Sequence, residues 1–409
     1  MEKSDFFRDA RRDLTGPLAG IRVLEACTTW AGPHCAALLG EYGADVIKVE
    51  LPDGEVGRRI PPLLPDHEPP LSVFHATVNR NKRSLTLDLR RREGQELFLS
   101  LAAKSDVVVE NFRPGTLGAW GLGYADVRKV RPDVIYVSIT GFGQFGPDHD
   151  RAGYDPIAQA RSGFMTINGE PDGGPMKAAI WLADTLGGMH GAMATMAALT
   201  HRTRTGEGQH IDVALLDGLL ASSDWNPALG AAGIDPGRYG NEFSFCAPAG
   251  AWRCKDGWIY AGILLDSHWK LFAKLAGRAD LADDPEFATA AARVKNRAEA
   301  NRLMTEFCAT RTKREAEVAL AGAGLTAGAV HSYREAAQDP HVRARDMLQE
   351  VPQYDGKPAH VIGPAAKMSR TPLRVRSGAA SLGQHNDEIL AELGLSPDER
   401  AKLRESGIV

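Results

Sequence analysis

Between Ile21 and Glu50 two short apolar runs flank one helical segment, and no other feature limits the fold as strongly. Ile21-Arg22-Val23-Leu24-Glu25 reads as a strand. Trp30-Ala31-Gly32-Pro33 reads as a turn, and Pro33 suits a first helical turn, where a missing N–H is not felt. His34 to Tyr42 carries the helix, Gly43 closes it, and Asp45 to Glu50 is the next strand. Strands joined in this way run parallel, with the helix as crossover. Sheets of this kind hold ligands beyond the carboxyl ends of their strands. Thr28 to Pro33 and Leu51 to Gly54 are therefore expected beside a ligand.

The pattern continues downstream. Asp53 to Pro70 is a loop rich in Pro, Gly and charge. Arg80, Lys82 and Arg83 then precede a strand, which fits a solvated turn or an anion contact at a strand end. Arg92 to Ala103 is helical, and Asp106 to Asn111 and Val134 to Thr140 are further strands. Gly141 to Gly146 matches G-x-G-x-x-G in form only. Pro147-Asp148-His149-Asp150 follows it, where a dinucleotide site needs a helix. Arg151 to Pro156 leads into a helix ending at Ser162, and Ile211 to Ser223 gives one more strand and helix. These features predict an α/β chain with a large domain over residues 17–223. A composition break near Asp224 sets a linker at 224–244. A smaller α+β domain follows at 245–335, and 336–409 is a return segment, closing with a helix over His385 to Leu393 stopped by Gly394.

Composition restricts the function classes. A net charge of -4 over 409 residues gives no support to nucleic acid or an anionic membrane as partner. The 5 cysteines are scattered without Cys-x-x-Cys spacing, which predicts a reducing compartment, no disulfide framework and no metal site. The opening residues are charged rather than leader-like, and there is no long uninterrupted apolar run, so the expectation is a cytoplasmic protein without a membrane span.

Lys177 to Arg202 holds one carboxylate, Asp184, among apolar and small residues. The run looks apolar on all faces, as a buried helix does. Asp184 stands where that helix should begin, so an N-cap is its plain structural reading. The pair Gly187-Gly188 weakens a helix by roughly 1 kcal/mol each against Ala, and such glycines admit a ligand or another backbone. A buried carboxylate with no cation beside it in sequence is also expensive.

The chain resembles the family III CoA-transferases, the group of formyl-CoA and carnitine CoA-transferases, whose fold also includes α-methylacyl-CoA racemase. The resemblance runs from about Leu18 to the C-terminus. It is carried by Leu18 to Glu25 with Ala31-Gly32-Pro33, Gly43 to Glu50, Asn81 to Ser84, Asp106 to Phe112, Thr205 to Gln209 and Leu382 to Glu388. It implies a Rossmann-like large domain built from both chain ends, a smaller α+β domain, and two chains interlocked as a dimer. It implies CoA transfer from an acyl-CoA, with succinyl-CoA the suggested donor, to a free carboxylic acid. Coenzyme A enters as substrate, and no permanently bound cofactor is expected. The matching catalytic position is Asp184, as a covalent nucleophile, with the amides from Thr185 to Gly188 as oxyanion donors. The matching CoA contacts are Trp30, Ala31, Asn81, Lys82, Asn111, Phe112, Arg113, Ala152, Gly153 and Tyr154. The partner is expected to be a second copy or, in a heteromer, a related subunit. Formyl-CoA transferase has arginine at the positions of Leu51 and Ala119, lysine at Ala152, and a glycine-rich loop that this chain lacks. A racemase would place histidine where Tyr154 stands, and tyrosine titrates too high to serve readily as that base.

Overall fold

The computed structural model describes all 409 residues. One compact unit comprises residues 1–164, 177–228 and 340–409, and a second comprises 165–176 and 229–339.

The first unit is organised by a parallel sheet. In chain order it contains β1 (Arg22–Ala26), α1 (Ala31–Glu41), β2 (Asp45–Glu50), α2 (Val73–Asn79), β3 (Lys82–Thr86), α3 (Arg92–Ala103), β4 (Val107–Glu110) and β5 (Ile135–Thr140). Then come α4 (Asp155–Arg161), α5 (Leu182–Thr205), β6 (Gln209–Ala214) and α6 (Leu215–Ala221). The six strands lie in the order β3-β2-β1-β4-β5-β6, and every neighbouring pair is parallel. Register is fixed by apolar pairs: Val23 stands opposite Val46 on one side and Val107 on the other. The order reverses between β1 and β4, so their carboxyl ends diverge and leave a crevice.

Continuous apolar strands need cover on both faces. On one face Val23, Val109, Val137 and Ile139 pack against Cys35 and Leu39 of α1 and Ala192 of α5. On the other, Leu24, Ile47, Leu85 and Val108 meet Phe98 of α3. Ile389 and Leu390 of a late helix, Asn386–Glu392, complete that face. Gly394 at φ +91 ends the turn beyond it, as expected of a glycine past a helix.

Helix α5 departs from expectation in two ways. It begins at Leu182 with Trp181 as N-cap, so Asp184 lies inside the first turn and caps nothing. It is also not buried all round. Ala183, Asp184, Gly187, Gly188, Gly191, Thr195 and Ala198 face inward, while Met189 and Met193 are 44% and 52% exposed. Gly188 admits another backbone and Gly187 a side chain rather than a ligand. A Cβ on Gly188 would lie 2.8 Å from the Ala31 carbonyl oxygen of α1, and one on Gly187 would lie 2.5 Å from Leu215.

The second unit has a three-stranded antiparallel sheet made of β7 (Ala249–Cys254), β8 (Gly257–Gly262) and β9 (Thr326–Ala329), with β8 central. Trp269, Phe272, Leu303, Met304 and Phe307 from its helices fill the core. No helix of the chain is long and apolar enough to cross a membrane.

Candidate active site

A cleft of about 200 Å³ opens where the sheet order reverses, and Asp184 lines it. The β1–α1 loop supplies Thr28, Thr29 and Ala31. The loop after β4 supplies Asn111, Phe112 and Arg113, and the approach to α4 supplies His149, Arg151, Ala152, Gly153 and Tyr154. Eight of the eleven residues expected at the site therefore share one cavity: Asp184, Ala31, Asn111, Phe112, Arg113, Ala152, Gly153 and Tyr154.

Each wall has a local cause. Asn111 clamps the β1–α1 loop: its Nδ2 donates to Thr28 O at 2.8 Å, and its Oδ1 accepts from the Thr28 amide at 2.9 Å. Thr29 sits at φ +63, a region a β-branched residue rarely enters, and its amide donates to the Glu55 carboxylate at 2.7 Å. Trp30 follows. Its Nε1 donates to Thr185 Oγ1 at 3.0 Å, which ties the loop to the residue after Asp184. Its ring stands 5.0 Å from that of Phe74. The Glu110 carboxyl, pushed up to about 7 by burial, accepts from the Phe112 amide at 2.8 Å.

Asp184 is 8% exposed, and its carboxyl is pushed up to about 7, first by burial and then by the charge of Asp155. In the sequence Asp155 is only part of an approach to a helix. It is the cap of α5: its Oδ1 accepts from the Ala183 amide at 2.7 Å and the Asp184 amide at 3.4 Å. Gln159 holds the other oxygen at 2.7 Å. The Thr185 amide donates to Trp181 O at 2.9 Å and so begins the helical ladder, and the amides after it continue that ladder inward. As helix amides they donate to carbonyls of the preceding turn.

Asn81 and Lys82 stand apart from this cleft. They border a second cavity of about 290 Å³, near the amino ends of β2 and β3, with Asp45, Arg83 and Arg376. Asn81 Oδ1 accepts from the amide of Ser377 at 3.1 Å. Lys82 Nζ lies 2.6 Å from Glu25 and donates to Pro33 O at 2.8 Å. Arg80 and Arg83 pair with Glu41 and Asp45. The cationic run is therefore a set of partnered side chains rather than a solvated turn.

Beside the acid cleft, and sharing Thr28 and Phe112 with it, lies a largely apolar slot of about 100 Å³ between Leu51, Gly54, Leu87, Leu89, Arg90 and Trp120. An acid held without a cation at one end of a crevice, and an apolar slot at the other, suit a long ligand that reacts at one tip.

Comparison with known proteins decides the family. The profile of CoA-transferase family III matches residues 18–386. The chain is a family III CoA-transferase. It is 39% identical over 384 residues to the succinate–glutarate CoA-transferase of Agrobacterium fabrum, covering 92% of this chain and 96% of that protein. It is 38% identical over 407 residues to the succinyl-CoA–L-malate CoA-transferase beta subunit of Chloroflexus aurantiacus, covering 97% and 98%. Its fold matches the crystal structure of a CAIB/BAIF family protein from Brucella suis with a TM-score of 0.84 and 37% identity, covering 93% of this chain and 100% of that one. The six-stranded parallel sheet is thus that of the CAIB/BAIF fold.

Proposed function

We propose that this enzyme moves CoA from succinyl-CoA to a dicarboxylic acid through a covalent intermediate on Asp184. The observation that carries the reading is a buried carboxylate, unpaired with any cation, on the wall of the switch-point cleft. Low polarity raises the energy of the carboxylate and favours its attack on a neutral thioester. One Asp184 oxygen bonds to the thioester carbonyl carbon, the C–S bond breaks, and CoA thiolate leaves. The product is a mixed anhydride. The thiolate then attacks the aspartyl carbonyl, releases the donor acid as carboxylate and leaves an aspartyl-CoA thioester. The acceptor carboxylate attacks that thioester, and the thiolate attacks the resulting anhydride at the acceptor carbonyl. Acyl-CoA product forms and Asp184 is restored.

The apolar slot is the reading's place for the adenine, with the Arg90 and Arg113 guanidiniums near enough to the crevice to meet phosphates. The donor and acceptor classes rest on the names of the relatives, several of which name succinyl-CoA with L-malate, mesaconate or glutarate. The reading includes an interlocked homodimer, or a pairing with a related subunit. Native mass spectrometry showing only monomer would contradict that part.

The test is incubation with succinyl-CoA and a panel of free acids, read by mass spectrometry for new CoA thioesters. The expected result is exchange with longer dicarboxylates such as glutarate or malate and none with formate or oxalate. Hydrolysis alone, or no new thioester with any acid, would contradict the assignment.

A further inference from the structure

Behind the β1–α1 loop six side chains close a ring, and none is more than 6% exposed. Lys48 Nζ lies 3.0 Å from Glu25 and 3.3 Å from Glu55. His75 Nδ1 lies 3.2 Å from Glu55 Oε1. Asn79 Nδ2 donates to His75 O at 3.0 Å, and Asn79 Oδ1 accepts from Lys82 at 3.0 Å. Lys82 returns to Glu25 at 2.6 Å.

Stability alone does not account for such a ring, because well-packed apolar residues often serve a core as well as buried ion pairs do. Its bonds to backbone give the better account, since they converge on one segment. Lys48 donates to Cys27 O at 2.9 Å, the Glu55 carboxylate accepts from the Thr29 amide at 2.7 Å, and Lys82 donates to Pro33 O at 2.8 Å. That segment holds Thr29 in its left-handed conformation and carries Trp30 to Thr185. Glu55 is itself fixed from behind, its amide donating to Glu50 at 3.2 Å.

We propose that Glu55 is a positioning residue for CoA transfer. Through the Thr29 amide it sets the loop that carries Trp30, and through Trp30 the Thr185 hydroxyl beside the nucleophile. The inference rests on Asp184 as the reacting group. A glutamine at position 55 cannot reproduce the arrangement. With its oxygen on Thr29 it turns an NH2 towards Lys48, and the opposite rotamer faces the Thr29 amide with a donor.

The test uses the full-length enzyme and the variants Glu55→Gln and Glu55→Asp, the second keeping the charge that pairs Lys48. Amide hydrogen exchange in the peptide Cys27 to His34 is one readout, and steady-state kinetics the other. Thr29 should exchange about tenfold faster or more in a folded variant. The kcat should fall about 10- to 100-fold with KM for acyl-CoA changed less than about threefold, the pattern of a misplaced group. The double variant Glu55→Gln with Trp30→Phe should be no slower than the worse single variant, since both act on one contact. Unchanged Thr29 exchange, unchanged kcat, or fully additive losses would overturn the proposal. Failure of the underlying reading would show separately, as full turnover by Asp184→Ala, while the exchange readout still reports what Glu55 holds.

Discussion

Asp155 Oδ1 lies 2.7 Å from the amide of Ala183 and 3.4 Å from that of Asp184, so one acid caps the helix that presents the other. The arrangement anchors α5 at Asp184 and adds a like charge beside it. The two roles are separable. Asn caps a helix about as well as Asp, whereas Ala removes the cap at a cost of about 1 kcal/mol. Asp155→Asn should therefore leave the thermal midpoint close to that of the parent, and Asp155→Ala should lower it. Asp155→Asn should also lower the Asp184 pKa, and the acid limb of the kcat/KM profile should move to lower pH. A limb that stays in place would show that the Asp155 charge does not reach Asp184.

The pKa of Asp184 gives a second prediction, and its sign follows from linkage. Folding raises this carboxyl from 3.8 to about 7. Between those values the folded state binds more protons than the unfolded one, so stability falls as pH rises through that window. Asp184→Asn removes the penalty. The variant should match the parent at pH about 4, gain stability up to pH about 7 and hold that gain above it, at most about 4 kcal/mol from a shift near three pKa units. Thermal midpoints measured against pH check this, and a difference that is flat with pH would contradict it.

Gly188 supplies a third. A methyl group there meets the Ala31 carbonyl oxygen at 2.8 Å and the Cys35 amide nitrogen at 3.1 Å, both backbone atoms that cannot swing aside. Gly188→Ala should destabilise by about 1–3 kcal/mol through overpacking. It should also lower kcat, because α5 must shift one turn after Asp184, the proposed nucleophile. Met189→Ala on the exposed side of the same helix should change stability by no more than about 0.5 kcal/mol. Denaturant unfolding of both variants makes the comparison, and equal losses would show that helix propensity, not close packing, sets the effect.

The parallel strands, the crossover helix after β1 and the placing of Asp184 near a helix start were legible because each rests on local periodicity and on short runs of residue types. What the sequence hid depends on partners far along the chain. Arg80 and Arg83 look solvated in sequence, yet Glu41 and Asp45, 39 and 38 residues away, neutralise them in the fold. Asp155 looks like part of a loop because the amide it caps lies 28 residues on. The apolar run after Asp184 suggested burial on every side. Met189 and Met193 face outward because small residues on the opposite side bring α1 so close that only one stripe fits. Of the expected site residues, those in loops at the carboxyl ends of strands converge on the cleft except Trp30, which packs on Phe74 and bonds Thr185. Asn81 and Lys82, at the amino end of β3, do not converge there.

The central claim is a covalent bond between acyl donor, CoA and Asp184, and trapping tests it most directly. Borohydride reduces an aspartyl thioester to an alcohol and hydroxylamine converts it to a hydroxamate, whereas a free carboxylate reacts with neither. The enzyme is mixed with succinyl-CoA, quenched with either reagent, digested and read by mass spectrometry. The account predicts a mass change on one peptide, the one containing Asp184, and none when succinyl-CoA is omitted. Modification at a buried thiol such as Cys27 or Cys35, or full turnover with no modified peptide, would contradict it.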